Sequence, residues 1–426
     1  MAIPKLCLIP ATQGTKLYSV LPSNGVGDFA FTRGSSATRI NSQGLIETVA
    51  SGVSRLNYPL IDGVVNGCPS HLLEPIRTNF QKQSEYASGW TAEGAALTNN
   101  EEISPSGELN ASKITAIATN ASHKGYPPFA SGLVNGGLYS ATVFMKSDGY
   151  DFGYIRDGYS GRYVIFDLVN GIVSSQSSAT GNISYFGNGW YRCFASMNTV
   201  ATNFRMDTGI LETSSQNPST SWLGNGTSGI YIYGAQLEEG SYSTSYIPTT
   251  TAAVTRSAET ANGAGDASTF NDSEGVLMAE ISALANDLTY RGISLGDGTA
   301  SNVLRFYYEN ISNRLTANIK SSGTTIATLI YNFSDITISS KIALKYKQND
   351  FALWVNGSKV DSFNSGVTPL NMNKLQFDTG TGGDDFYGNT KQIQYYDSAL
   401  NDSDLETLTS WTSFTDLANG QTYSIK

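Results

Sequence analysis

The sequence predicts an all-β protein, in which an N-terminal irregular β attachment segment is followed by two β-sandwich (jelly-roll) domains. Three observations support this prediction. Only 15% of the 426 residues are charged and 43 are Gly, a composition that suits strands joined by turns. Apolar and polar residues alternate over many short runs. Gly, Asn or Asp residues typical of turns bound these runs.

The first segment, residues 1–75, is the least regular part of the chain. Its short apolar runs are interrupted by Pro4, Pro10, Pro22, Pro59 and Pro69. Prolines at this density exclude long helices. Because its apolar runs are short, we expect the segment to pack on a neighbour instead of folding alone, as an attachment or assembly element.

The strand repeats are clearest in residues 76–247, where alternating runs begin at Leu138, Arg162, Trp190 and Ile230. Alternation with period two predicts a β-sandwich here. Residues 248–267, rich in Thr and Gly, predict an extended linker.

A second strand series spans residues 268–412 and predicts a second sandwich. It closes with a short helix that begins near Ser403, where acidic residues occupy the opening turn. Residues 413–426 form a polar C-terminal tail.

Charge and composition exclude several classes of partner. The chain carries 26 basic and 36 acidic residues, a net charge of -10, without a Lys/Arg cluster, so binding to nucleic acid is not expected. No apolar run approaches the roughly 20 residues of a membrane span, so membrane insertion is not expected. The three cysteines are far apart and fit a reducing compartment. The N-terminal apolar stretch is too short for a secretory signal.

The sequence offers no set of catalytic residues. It contains two histidines and no Gly-x-Ser-x-Gly, His-Glu-x-x-His or Walker motif. Glu238 and Glu239 are neighbours on a predicted strand and would point to opposite faces, unlike the facing carboxylates of a glycosidase. We therefore expect no enzymatic activity. His71 is expected to be a hydrogen-bonded core or interface residue, and His123 a loop residue.

Aromatic side chains offer the best route to a ligand, because sugars stack their C–H faces on Trp and Tyr while polar groups at the rim satisfy the hydroxyls. One turn-rich segment supplies the predicted carbohydrate-binding cluster of Tyr154, Arg156, Asp157, Tyr159 and Arg162. Trp90 and Tyr126 are predicted to line the same face, and Trp222 to be an exposed anchor. A surface hairpin with aromatic cross-strand pairs, or a subunit contact, is the alternative for this cluster.

Acidic loop residues could hold a hard cation. Asp384 and Asp385 lie in a Gly-rich loop, and Asp297 lies between two glycines. Together they would offer the flexible oxygen ligands that Ca²⁺ accepts. Ordinary turn aspartates are the alternative, and no other cofactor is expected.

Several stretches resemble a recurrent family of structural proteins of tailed-bacteriophage virions. Residues 28–47 and 71–80 are similar to the N-terminal region of phage fibre, tail and capsid-associated proteins. Residues 189–196 and 233–249 are similar to the closing strands of their carbohydrate-binding-module-like jelly roll. Residues 351–357 and 393–405 resemble concanavalin A-like, laminin-G-like lectin domains.

The resemblance implies a non-enzymatic virion component, in a fibre, a tail or a capsid decoration. It would be made in the cytoplasm of the host bacterium and exposed on the virion surface. Its partners would be other virion proteins, further copies of itself in a homo-oligomer, expected to be a trimer, and host cell-surface glycans. Two alternatives stay open: a purely architectural protein without glycan binding, and a polysaccharide-degrading enzyme.

Overall fold

The computed structural model describes residues 2–10, 14–85 and 89–411. In these ranges the regular structure is β apart from one short helix, α1 (Asp402–Thr409), so the all-β prediction is confirmed. Asn401 caps this helix by accepting a hydrogen bond from the Asp404 backbone N–H at 2.9 Å. The predicted tail, residues 413–426, lies outside the described residues. None of the helices in the described ranges has the length and apolar character of a membrane span.

The N-terminal segment and the residues directly after it form short strands separated by turns, and the last of these strands follows the segment. They are β1 (Leu6–Leu8), β2 (Lys16–Leu17), β3 (Ser19–Leu21), β4 (Phe29–Thr32), β5 (Ala37–Ile40), β6 (Ile46–Val49), β7 (Leu56–Asn57), β8 (Leu60–Ile61), β9 (Val64–Val65), β10 (Ser70–Leu73) and β11 (Arg77–Asn79). Each of them is two to four residues long, which agrees with the short apolar runs of the sequence.

The first sandwich follows. Its strands are β12 (Thr91–Glu93), β13 (Ala95–Ile103), β14 (Leu109–Ala116), β15 (Asn120–Ala121), β16 (His123–Tyr126), β17 (Ala130–Ser131), β18 (Leu138–Asp148), β19 (Phe152–Asp157), β20 (Tyr163–Asp167), β21 (Ile172–Ser177), β22 (Thr180–Gly187), β23 (Trp190–Asn198), β24 (Asn203–Phe204), β25 (Met206–Leu211), β26 (Trp222–Leu223) and β27 (Gly229–Glu239).

Two six-stranded antiparallel sheets form this sandwich. Their strand orders are β12-β16-β25-β19-β20-β21 and β13-β14-β27-β18-β23-β22. Inward residues of both sheets, such as Ile155 and Phe166 from one and Val143 and Cys193 from the other, share one buried core. Because side chains alternate along each strand, every residue next to an inward one points to an outer face.

The predicted linker is extended and pairs with the N-terminal segment. Its strands are β28 (Val254–Arg256), paired with β11, and β29 (Thr260–Asn262), paired with β4. The chain therefore passes back through its own first segment before it enters the second sandwich.

The second sandwich contains β30 (Glu274–Ala283), β31 (Arg291–Gly296), β32 (Val303–Tyr308), β33 (Arg314–Ser321), β34 (Thr324–Asn332), β35 (Ser340–Lys347), β36 (Phe351–Val355), β37 (Ser358–Phe363), β38 (Lys374–Gln376) and β39 (Gly388–Tyr396). β34-β33-β32-β31-β38 form a five-stranded sheet. The facing sheet has nine strands, because β1 and β10 both pair with β39 and bring β3 and β7 with them.

The N-terminal segment thus completes the second sandwich. Leu6, Leu8, Phe29 and Leu73 of that segment lie in the same buried core as the inward residues of β30 to β39. On the opposite face of the nine-stranded sheet, Leu405 and its neighbours on α1 cover a smaller apolar cluster.

A buried ion-pair network joins the N-terminal segment to the linker. Arg33 Nη1 donates to Glu259 Oε1 at 2.6 Å, and Arg55 Nε donates to the same oxygen at 2.9 Å. Glu74 Oε2 lies 2.8 Å from Arg55 Nη2 and 2.8 Å from Arg256 Nη1. All five side chains are almost fully buried, so each charge depends on its partners in the network.

Both histidines differ from their predicted environments. His71 lies in β10 and is buried as expected, but in the described part of the chain neither ring nitrogen has a hydrogen-bond partner. His123 was expected in a loop, and this is wrong, because it lies buried in β16. Its Nε2 is 3.0 Å from the Trp222 carbonyl oxygen and its Nδ1 contacts the Gly94 carbonyl oxygen.

Candidate functional site

The outer face of the sheet that contains β19 carries part of the predicted cluster. Ile155 points into the core, so Tyr154 and Arg156 point outward. The register places Arg156 opposite Asp207 and Tyr154 opposite Gly209. Directly opposed residues share a face of a sheet. We call this surface, formed by Lys124, Tyr126, Phe129, Arg156, Tyr159, Arg205 and Asp207, the cation–aromatic face.

Asp207 is the centre of the charged groups on this face. Its carboxylate is fully buried and accepts a hydrogen bond from Arg205 Nη2 at 2.9 Å. Arg156 Nη1 lies 3.4 Å and Lys124 Nζ 3.9 Å from Asp207 Oδ2. Burial raises the pKa of Asp207, and the three cations oppose that shift.

The three cations exceed the nearby carboxylates. Lys124 also pairs with Glu93 at 2.8 Å, so the group contains three cations and two carboxylates. The side chains of Arg156 and Arg205 keep partial exposure, 16% and 22%. Their free N–H groups are the donors that a ligand can reach at this surface.

Gly158 leaves room for the side chain of Arg205 beside the Tyr126 ring. The guanidinium of Arg205 is 4.9 Å from the centre of the Tyr126 ring, a cation–π arrangement. A Cβ atom on Gly158 would lie only 2.0 Å from Arg205 Nε, and the Gly158 backbone N–H donates to the Arg205 carbonyl oxygen at 2.8 Å. The turn after β19 is therefore fixed against Arg205.

Two exposed rings extend the face beyond Tyr126. Phe129 is 43% exposed and Tyr159 is 46% exposed, and their ring centres are 5.7 Å apart. The Phe129 ring is also 6.0 Å from that of Tyr126. The three rings form a row, so an apolar ligand surface could contact more than one ring at once.

Tyr154 and Asp157 are buried beside the face. Tyr154 is fully buried, and no described residue forms a hydrogen bond with its hydroxyl. A Cβ on Gly209 would lie 2.5 Å from that hydroxyl, so only glycine leaves room for the ring. Asp157 is also buried and accepts from the backbone N–H groups of Tyr159 and Ser160 at 3.0 and 3.2 Å. Asp157 therefore holds the turn that presents Tyr159. Neither Tyr154 nor Asp157 is placed to touch a ligand as predicted.

The remaining predicted residues lie elsewhere. Trp222 was predicted to be an exposed anchor, and this is wrong, because it is only 6% exposed with its ring 4.2 Å from that of His123. Trp90 packs against the core and donates from Nε1 to the Gln83 carbonyl oxygen at 2.8 Å. Arg162 donates to the Asn198 carbonyl oxygen. Tyr126, Arg156 and Tyr159 are the predicted residues that the structure brings together.

Four members of the face were missed: Lys124, Phe129, Arg205 and Asp207. They come from β16, β25 and adjoining loops, and only the pairing of β16 with β25 and of β25 with β19 brings them together. The spacing of Arg205 and Asp207 in an alternating run was the available indication that both share one side of a strand.

The three predicted cation ligands do not lie together. Asp297 accepts from the Thr299 backbone N–H at 2.8 Å and from the Asn302 side-chain amide at 3.0 Å, which makes it a turn residue. Gly292 donates to the Asp384 carbonyl oxygen at 3.0 Å, and Asp297 follows five residues further along the strand, about 16 Å away. The prediction that Asp297 joins Asp384 and Asp385 is therefore wrong.

Asp385 lies near the carboxylates of Asp378 and Asp384 instead of that of Asp297. Burial raises its pKa, and the nearby Asp378 and Asp384 raise it further. In the described ranges no group of three or more His, Cys, Asp or Glu side chains could hold a metal ion.

No protein-family model matches the sequence, and no curated protein matches it. Solved structures with similarity include the carbohydrate-binding module CBM40 of Ruminococcus gnavus IT-sialidase bound to α2,3-sialyllactose, with 17% identity and a TM-score of 0.29, covering 33% of this chain and 84% of that chain. A leech intramolecular trans-sialidase has 17% identity and a TM-score of 0.29, covering 34% of this chain and 24% of that chain.

A heptameric SAP-like pentraxin from Limulus polyphemus has 11% identity and a TM-score of 0.26, covering 33% of this chain and 71% of that chain. At these scores no residue, ligand or activity carries over from any of the three proteins to this chain.

Proposed function

We propose that this chain is a non-enzymatic structural protein that binds glycans through the cation–aromatic face. One observation carries the proposal: the exposed rings of Phe129 and Tyr159 continue the row of Tyr126 beside the partly exposed guanidiniums of Arg156 and Arg205. Such rings offer stacking surfaces to the C–H face of a sugar, and the guanidiniums donate to its hydroxyl or carboxylate oxygens.

The absence of enzymatic activity is part of the proposal. Acid–base cleavage of a glycan needs two accessible carboxylates on either side of the bond. On this face Asp207 is fully buried among three cations, and Glu93 is paired with Lys124 at 2.8 Å. Because Asp207 is closed to a ligand, these two carboxylates do not form an accessible pair on either side of a bond.

We further propose that the protein is displayed on the surface of a tailed-phage virion, in a fibre, tail or capsid decoration, as a homotrimer made in the host cytoplasm. The support for this assignment is the resemblance of residues 28–47, 71–80 and 351–357 to such proteins. Its partners would be other virion proteins and glycans of the host surface.

Tyr159→Ala is expected to weaken glycan binding at least about tenfold, because it removes the most exposed ring of the row. The test is a glycan array that includes polysaccharide of the host surface, with products examined by mass spectrometry. Tyr290→Ala is the matched control, since Tyr290 is 43% exposed and contacts one ring, Tyr307, in the second sandwich.

Three outcomes would contradict parts of the proposal. Equal binding by Tyr159→Ala and Tyr290→Ala would place the glycan elsewhere on the molecule. Cleaved glycan would overturn the non-enzymatic assignment. Failure of the unaltered protein to bind any glycan on the array would favour the purely architectural alternative.

A further inference from the structure

A cavity of about 210 Å³ lies where the N-terminal segment meets both sandwiches. Its walls include Ile40, Ile46, Phe144, Phe186, Arg192 and Leu284. An engineered apolar cavity of about 150 Å³ is large enough to bind benzene. The junction cavity therefore has room for a ligand of about one ring. Ile40, Phe186, Arg192 and Leu284 keep partial exposure, so the cavity communicates with solvent.

Arg192 is the unusual group in this wall. Its Nη2 donates to the Thr244 carbonyl oxygen at 2.7 Å, and its guanidinium lies 5.7 Å from the centre of the Phe144 ring. Its Nε is buried and has no hydrogen-bond partner among the described residues. Within the described residues no carboxylate forms an ion pair with Arg192. Burial lowers the pKa of Arg192, which marks the cation as desolvated.

The other guanidiniums at the junction are paired. Arg33 pairs with Glu259, and Arg55 and Arg256 pair with Glu74. Glu74 also lines the cavity, but its oxygens already accept from both guanidiniums and from Ser245. Glu238 and Glu74 lie near enough to attract Arg192, but among the described residues neither forms an ion pair with it, and Glu238 accepts from Gln236 and Thr244 instead. A desolvated guanidinium is stabilised when a carboxylate occupies its free donors.

We propose that the junction cavity binds a small organic carboxylate of about one ring in size. Its carboxylate pairs with the unoccupied donors of Arg192, and its ring lies against Phe144 and Phe186, whose centres are 5.0 Å apart. Two sources share this chemistry: a free cyclic acid, and a uronic acid residue at the end of a glycan. This site is separate from the cation–aromatic face and does not depend on the proposed function.

The test titrates the full-length protein with benzoate and with glucuronate by isothermal calorimetry. Benzamide, glucose and inorganic phosphate serve as comparison probes. We expect at least one acid to bind, and Arg192→Met to weaken it about tenfold or more, because a charge-assisted pair is lost. Binding of benzoate alone identifies a free acid as the ligand class, and binding of glucuronate identifies an acidic sugar.

Arg305→Met is the matched control. Like Arg192, Arg305 donates to a backbone carbonyl oxygen, that of Thr379, at 2.8 Å, and its guanidinium lies over an aromatic ring. Its Nε also has no partner among the described residues. Unlike Arg192, it lies in the second sandwich, outside the cavity. If Arg192→Met does not fold, Arg192→Lys keeps the charge and removes the planar fork, and it should also bind more weakly. Phe186→Ala, which leaves Arg192 in place, should weaken the acids more than it weakens phosphate.

The proposal fails if neither acid binds the unaltered protein at millimolar concentration, if the Arg192 variants bind like Arg305→Met, or if the neutral probes bind as well as the acids. Phosphate bound as tightly as the acids would contradict the assignment of a one-ring ligand. Tyr159→Ala should leave acid binding in the cavity unchanged, so a failure of the glycan proposal is distinguishable from a failure of this one.

Discussion

Glu259→Gln is expected to lower the free energy of unfolding by about 3–5 kcal/mol. Glu259 is fully buried and is the only carboxylate within ion-pair distance of Arg33 in the described part of the chain. It also accepts from Arg55 and from the Glu74 backbone N–H at 2.8 Å. The amide keeps the size of the side chain but removes its charge, so a buried guanidinium is left without an anion.

The measurement is urea unfolding followed by far-UV circular dichroism and by tryptophan fluorescence. Glu47→Gln is the control, because Glu47 forms an ion pair of 2.8 Å with Arg39 in the same segment but is 44% exposed. An exposed pair contributes about 0–1 kcal/mol. Equal stability of the two variants would show that the buried network does not hold the linker against the N-terminal segment.

The sequence was sufficient for the fold class because the signal is local. Runs such as those starting at Leu138 and Ile230 alternate over the whole of β18 and β27, and their periodicity does not depend on distant partners. The final helix was also predictable, since Asn401 and two acidic residues mark its beginning.

The place of the N-terminal segment was not predictable in this way. Leu6 pairs with Tyr395 and His71 with Thr390, at opposite ends of the chain. Strands of two to four residues carry too little pattern to specify such partners. The buried network was not predictable for the same reason. Arg33 and Glu259 are far apart in sequence, and nothing in their local sequence distinguishes them from ordinary surface charges.

The candidate site was predictable only in part, for the same reason. Arg156 and Tyr159 were found because they lie in one contiguous turn-rich run. Arg205 and Asp207 were missed, since only the register of β19 with β25 brings them to the same face. Trp222 was misjudged because its polar flanks suggested exposure, whereas the pairing of β26 with β15 buries the ring.

Mild acid is expected to destabilise the protein through His71. Burial of its imidazole lowers its pKa to about 4, from an ordinary value of 6.5. The unfolded chain therefore binds a proton at a pH where the folded chain does not. The contribution of His71 to stability is complete above pH 6.5 and is lost as the pH falls towards 4, about 3 kcal/mol in all.

His71→Leu should remove this dependence. Both ring nitrogens lack partners within the described ranges, so leucine costs no hydrogen bond there. At pH 7 we therefore expect the variant to be at least as stable as the original protein. Between pH 6.5 and pH 5 the difference in unfolding free energy should shift by about 2 kcal/mol in favour of the variant.

The measurement is a set of urea unfolding curves at half-unit steps of pH for both proteins, and the comparison is their difference. Burial opposes ionisation of Glu74, but the guanidiniums of Arg256 and Arg55 outweigh this effect and lower the pKa of Glu74 to about 2. The contribution of Glu74 to stability is therefore lost only below about pH 4.5, outside the range from pH 6.5 to pH 5. Other carboxylates cancel in the difference because they are common to both proteins. Parallel curves for the two proteins from pH 6.5 to pH 5 would mean that the folded protein accepts a proton on His71 without cost, and that water or a neighbour such as Thr390 satisfies the imidazole.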